Sequence, residues 1–125
     1  MSAGSKNKKK IYGLELILEV FDCDIKILTS PQKIREYLKR ISKIVNLELY
    51  GPAKIEKFMG GGLWGKGYSF LQFLTTSSIA GHFLEKERVA FINIFSCSIF
   101  KSKAAVIFTK RFFRARKIKN KLIAH

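Results

Sequence analysis

The sequence predicts an α+β two-layer sandwich, an antiparallel-rich sheet with two helices on one face. Three observations predict it. Two segments carry apolar residues at helical spacing: Ile34, Leu38, Ile41 and Val45 in the first, and Ala104, Ile107, Phe108, Phe112 and Ala115 in the second. Six other runs are rich in β-branched and aromatic residues and are bounded by Gly, Pro or charged turns. Their order, β-α-β-β-β-β-α-β, groups the strands and suggests a mainly antiparallel sheet. With 125 residues, 47% apolar and 11 Phe, the chain is long enough to fill one hydrophobic core.

Residues 1–10 are lysine-rich and are expected to form a basic flexible tail ahead of one domain, residues 11–125. Residues 11–21 alternate loosely and are rich in Leu, Ile and Val, which predicts a strand. Ser30-Pro31 then supplies an N-cap and a proline at the first helical position, so a helix is expected over 31–45. Residues 47–58 read as a second strand, bent near Gly51-Pro52. Gly60, Gly61, Gly62, Gly65 and Gly67 mark a loop that carries Leu63 and Trp64. Strands follow over 68–75, 77–84 and 89–96, with the polar turn Glu85-Lys86-Glu87-Arg88 before the last of these. The second helix and a closing strand over 117–123 complete the chain.

The net charge is +15, from 24 basic and 9 acidic residues, with the bases concentrated in 6–10 and 110–121. Such a balance attracts polyanions. No nucleic-acid-binding motif accompanies it, so the charge reads as a solvated face and any nucleic-acid binding as weak and nonspecific. Cys23 and Cys97 form no CxxC or Cys/His cluster, which argues against a metal site. The longest apolar run, residues 89–100, contains Asn93 and is too short to span a bilayer. No signal peptide is recognisable, and a cytoplasmic protein away from membranes is expected.

Four reactive residues interrupt otherwise apolar strands: Ser69, Ser77, His82 and Cys97. Singly, each fits a structural role, and no acidic residue stands out as a triad member. The glycine loop lacks the spacings of phosphate-cradling loops. As a set they are more specific. Ser77 follows Ser69 by eight residues, His82 follows Ser77 by five, and Cys97 follows His82 by fifteen, at the end of Phe95-Ser96-Cys97. Gly13, Glu19 and Phe21-Asp22-Cys23-Asp24 stand near the start. In these positions the chain resembles the short bacterial and archaeal S-adenosylmethionine decarboxylases over residues 12–123.

The resemblance implies a proenzyme that cleaves itself between Thr76 and Ser77, and a covalent pyruvoyl cofactor made from Ser77. That group is an electrophilic carbonyl that takes a substrate amine as a Schiff base and accepts the electrons left by CO2. Ser69 and His82 would serve processing, and Cys97 would return a proton to the decarboxylated carbon. Glu19 is a candidate for the substrate ammonium and Trp64 for the adenine ring. The resemblance further implies S-adenosylmethionine as substrate, a role in polyamine and spermidine biosynthesis, and a homodimer. Spacing selects Ser77 over Ser78, since a slip of one residue turns the hydroxyl to the other face of its strand.

Three positions depart from the family pattern. Thr76 stands where Glu is usual, Ser78 where His is usual, and His82-Phe83-Leu84-Glu85-Lys86 replaces H-x-W-P-E. Lys86 thus occupies the place of the acidic residue that holds the ribose. Either Glu85 or Glu87 takes over, or the nucleoside grip is absent. The second case would favour a pyruvoyl-dependent arginine or ornithine decarboxylase. A third reading is an inactive homologue that binds polyanions.

Overall fold

A computed structural model describes residues 10–61 and 65–125. The elements are β1 (Leu14–Phe21), α1 (Ile25–Leu28), α2 (Pro31–Ile44), β2 (Lys54–Phe58), β3 (Gly67–Leu74), β4 (Ser77–Leu84), β5 (Val89–Ser96), α3 (Ser102–Phe112) and β6 (Lys117–Ala124). The expected tail, apart from Lys10, lies outside the described residues, and so does Trp64. The strands form a single sheet in the order β2-β3-β4-β5-β1-β6, and every neighbouring pair is antiparallel. The predicted α+β class is therefore observed, with two differences in detail.

First, there are three helices instead of two. The added α1 is four residues long, too short to reveal a period in sequence, and the Asp24 carboxylate caps it by accepting from the Lys26 amide at 2.9 Å. Second, only the later half of the expected 47–58 strand joins the sheet. Leu49 makes an isolated bridge to Leu74, and β2 begins at Lys54. Between them Gly51 adopts φ +71° and Pro52 offers no amide proton, which interrupts the ladder.

Alternation in β1 sends Leu14, Leu16, Leu18 and Val20 inward and turns Glu15, Ile17, Glu19 and Phe21 to the opposite face. The inward set joins Ile79, Phe83, Ala90, Ile92 and Ile94 from the sheet and Ile34, Leu38 and Ile41 from α2 in one core. Ser30 caps α2 by accepting from the Lys33 amide at 3.1 Å, with Pro31 in its first turn. The helices thus cover one face of the sheet and leave the other open. Both edge strands carry lysines, Lys54 and Lys57 on β2 and Lys117, Lys119 and Lys121 on β6, which discourages strand addition.

Tyr37 of α2 ties the helix layer together. Its ring is fully buried and packs on Phe108, Phe112 and Phe113, while its hydroxyl meets the Thr109 hydroxyl at 2.8 Å. Burial holds that phenol above its ordinary pKa, partly offset by the Thr109 bond. Tyr37→Phe is expected to leave Thr109, also fully buried, without this partner and to cost about 1–3 kcal/mol of stability in urea unfolding. A change below a few tenths of a kcal/mol would mean that Thr109 finds another acceptor.

Candidate active site

The cross-strand register sorts the candidate residues into two groups. On the open face, Glu56, Ser69, His82, Phe91, Glu19 and Lys119 form one continuous row across all six strands. Within it the Ser69 hydroxyl and His82 Nδ1 are 2.9 Å apart. Three residues expected from sequence, Ser69, His82 and Glu19, therefore share one end of the sheet. Beside the row opens a cleft of about 470 Å³, walled by Phe58 and Phe91 and reached by Ser69, His82 and Glu87.

The β4–β5 turn also distinguishes the two glutamates. Glu85 is largely buried between Lys57 at 3.4 Å and Lys66 at 3.9 Å, so its charge is already matched. Glu87 is exposed and lines the cleft, whereas Lys86 points to solvent. Of the two candidates for a ribose hydroxyl, Glu87 is the one with a free carboxylate facing the cleft.

Ser77 and Cys97 stand at the other end. Ser77 opens β4, opposite Leu74 on β3 and Ser96 on β5. Cys97 is exposed and follows Ser96 directly, so it flanks the Ser77 position. His82 lies five residues along β4 from Ser77, about 16 Å at the rise of a strand. That odd separation also puts the two side chains on opposite faces: Ser77 is buried on the helix-covered side, and Ser78 shares the face of His82. Facing therefore does not favour Ser77 over Ser78 within one chain, and the choice rests on spacing.

The Thr76–Ser77 bond lies where a tight turn leads into β4. Thr75 and Thr76 form a two-residue turn between β3 and β4, and Thr76 is held at φ +58°. It is the only β-branched residue among the non-glycine positions with positive φ. That conformation costs about 1–2 kcal/mol for an L-residue. The next hydroxyl, Ser77 Oγ, is buried and has no hydrogen-bond partner among the described residues. A strained peptide unit thus precedes a hydroxyl that no neighbour restrains. In a Ser77→Ala background, Thr76→Gly is expected to raise stability by up to about 1 kcal/mol, since glycine adopts this φ freely. With Ser77 present, the same change should slow cleavage after residue 76, read by gel densitometry over time. Unaltered stability and rate would show that Thr76 stores no useful strain.

A carboxylate that the sequence reading did not single out stands near the Ser77 end. Glu15 shares an open-face row with Ser78 and Phe95. The Asn93 amide donates to it at 2.6 Å and His125 Nε2 lies at 3.0 Å. The Asn93 bond first, then the His125 bond, hold its pKa below the ordinary carboxylate value. Glu15 is therefore a fixed anion at neutral pH. Any stability it lends is present above the unfolded pKa and is lost only as pH falls through the depressed folded one. Its signal in sequence was its place four residues before Glu19, on the same strand face.

The cysteines separate clearly. Cys23 is buried, donates to the Val20 carbonyl at 3.4 Å, and burial pushes its thiol up to about 12. It stays protonated at neutral pH and packs as a small apolar side chain. Among the described residues no group of three or more His, Cys, Asp or Glu is placed to hold a metal ion. No helix there is long and apolar enough to cross a membrane.

An antiparallel sheet under one helix layer with this strand order is an arrangement found among solved structures. The chain superposes on the adenosylmethionine decarboxylase from Aquifex aeolicus VF5 with a TM-score of 0.75, covering 92% of this chain and 91% of that one. At 20% identity the likeness is one of fold. The sequence model of the S-adenosylmethionine decarboxylase family matches residues 14–124, nearly the whole described domain. This chain belongs to the S-adenosylmethionine decarboxylase family, a family of decarboxylases. A comparison with curated proteins finds none that matches.

Proposed function

We propose that the chain is a self-processing, pyruvoyl-dependent S-adenosylmethionine decarboxylase of polyamine synthesis, with each active site completed by a second copy. The observation that carries this reading is the division of the reactive set. Ser77, turned to the helix side, and Cys97 lie at one end of the sheet, and the Ser69–His82 pair lies on the open face at the other end. One chain cannot bring them together across about 16 Å of rigid strand. Two copies packed through their open faces can, about a twofold axis lying between the sheets and across the strands. Such an axis keeps each residue's place across the sheet and reverses its place along the strand. The Ser77 end of one β4 then faces the His82 end of the other.

The open face suits that packing. Phe58, Leu71, Phe73 and Phe91 are all exposed on it, Phe73 at 60% and Phe58 at 57%. A contiguous apolar surface of this kind marks an interaction site. The nine acidic residues also matter here. Three of them, Glu15, Glu19 and Glu56, lie on this face and offset its lysines, which lowers the repulsion between two copies of charge +15.

Processing then follows from the local chemistry. Ser77 Oγ attacks the Thr76 carbonyl carbon, and the acyl group moves from nitrogen to oxygen, leaving an ester and a free amine. His82, held by Ser69, removes the Ser77 α-proton, and the residue 1–76 carboxylate departs. The dehydroalanine left behind takes up water and loses ammonia. The buried, unpartnered Ser77 Oγ is consistent with a group that must be free to attack. The resulting pyruvoyl group supplies the carbonyl that receives the substrate amine and the electrons released with CO2. In this reading Cys97 returns a proton, Glu15 and Glu19 attract the substrate's cationic groups, and Glu87 accepts from the ribose.

The test of substrate is CO2 release from S-adenosylmethionine, arginine and ornithine by processed protein. S-adenosylmethionine is expected to be the best of the three, and Cys97→Ala is expected to lower its kcat by about 10²-fold or more. Robust turnover of arginine or ornithine alone would move the assignment to an amino-acid decarboxylase on the same fold.

A further inference from the structure

The helix layer carries a groove that the proposed chemistry does not use. It runs between α2 and α3, encloses about 570 Å³, and lies on the side of the molecule away from the open sheet face. Its apolar lining includes Ala104, Ile107, Phe108 and Phe112, with Ile107 53% exposed. Its rim is cationic, with Lys33 and Arg40 from α2 and Arg111 and Arg114 from the end of α3. Nearby acidic groups offset this charge only weakly. Glu36 is shared between Lys33 and Arg40 at 3.4 and 3.3 Å, and Asp24 meets a highly exposed Arg114 at 3.7 Å. Arg111 has no carboxylate within ion-pair distance among the described residues.

We propose that this groove docks an acidic amphipathic helix of a partner protein, whose apolar stripe covers Ile107 and Ala104 and whose flanking carboxylates meet the four cations. Four other occupants fit the chemistry less well. Single-stranded nucleic acid needs free aromatic faces, but Phe108 is stacked on Tyr37 on one side and covered by the Arg40 guanidinium on the other. Phe112 is likewise held between Tyr37 and Arg40. A membrane surface calls for projecting apolar side chains, and this surface is concave. The chain's own first residues are rich in lysine and would be repelled. A second copy brings a net charge of +15 against an already cationic rim. The lining runs from Lys33 to Arg40 along α2 and from Ala104 to Arg114 along and just past α3, about 10–15 Å, which matches two to three turns of helix.

The experiment uses the full chain and three fluorescein-labelled probes in anisotropy titrations at physiological salt. One is a helical peptide of about four turns with leucines at i, i+3, i+4 and i+7 and glutamates elsewhere. The second is its composition-matched scramble, and the third is oligouridine. The patterned peptide is expected to bind at least about tenfold more tightly than either control. Ile107→Glu and Arg111→Glu should each weaken it by a similar factor. Both positions are exposed, and retention of the wild-type circular-dichroism melt shows that the variants fold. Equal binding of the scramble, stronger binding of oligouridine, or wild-type affinity in both variants would overturn the proposal. None of these readings depends on self-cleavage, so the docking site fails or stands apart from the decarboxylase assignment.

Discussion

The purified protein is expected to resolve into two polypeptides, residues 1–76 and 77–125, while Ser77→Ala remains a single chain. Intact-mass spectrometry reads both outcomes directly. The second fragment should lack a free amino terminus and resist Edman degradation. The effect is all or none because the attacking oxygen belongs to the residue being replaced. The Ser77 hydroxyl is buried without a partner and sits just after Thr76 at φ +58°, so attacker and strained carbonyl are covalent neighbours. Ser78 provides an internal control. Its hydroxyl lies on the opposite face of β4, and Ser78→Ala should still be cut after Thr76. A wild-type chain that stays whole under all conditions would sink the processing reading and leave an inactive homologue in its place.

A second large effect is expected from mixing two inactive variants. Ser77→Ala lacks the attacking oxygen, and His82→Ala lacks the base, so neither should be processed when expressed alone. Co-expressed, they form mixed pairs in which one composite site is intact. It combines Ser77 of the His82→Ala chain with His82 of the Ser77→Ala chain. Only the His82→Ala chain should then be cut, and a tag on each chain distinguishes them by mass. The prediction follows from the register, which separates Ser77 and His82 by five residues of one strand and by its two faces. If processing were confined to one chain, co-expression would yield no cleavage of either. Ser69→Ala in place of His82→Ala should behave in the same direction with a weaker block. Its hydroxyl holds the imidazole at 2.9 Å and does not itself take the proton.

Much of this molecule is legible from local pattern. Alternation in LELILEVF marked β1 and its buried side, and Ser30-Pro31 marked the start of α2. The four-residue α1 and the broken entry to β2 were not legible. One is shorter than a helical period can reveal, and the other depends on Gly51 and Pro52 interrupting an apolar run. The site divides in the same way. Spacing along the chain, set beside the family resemblance, marked Ser69, Ser77, His82 and Cys97 as the candidate set.

Other features depend on distance across the sheet. Pairing put Ser69 against His82, placed Glu15 beside the Ser77 end with Asn93 and His125 as partners, and left Glu87 free while Lys57 and Lys66 took Glu85. Each of these contacts joins residues on different strands or loops, so no periodicity in sequence encodes it. The element order apart from α1 and the buried faces follow from short-range alternation and spacing, which also marked the candidate residues. The division of these residues between the two ends of the sheet, with Ser77 turned to the helix side and His82 to the uncovered face, came only with the fold. Strand register fixes where a side chain lies to within one residue, and five residues of strand hold Ser77 and His82 about 16 Å apart within one chain.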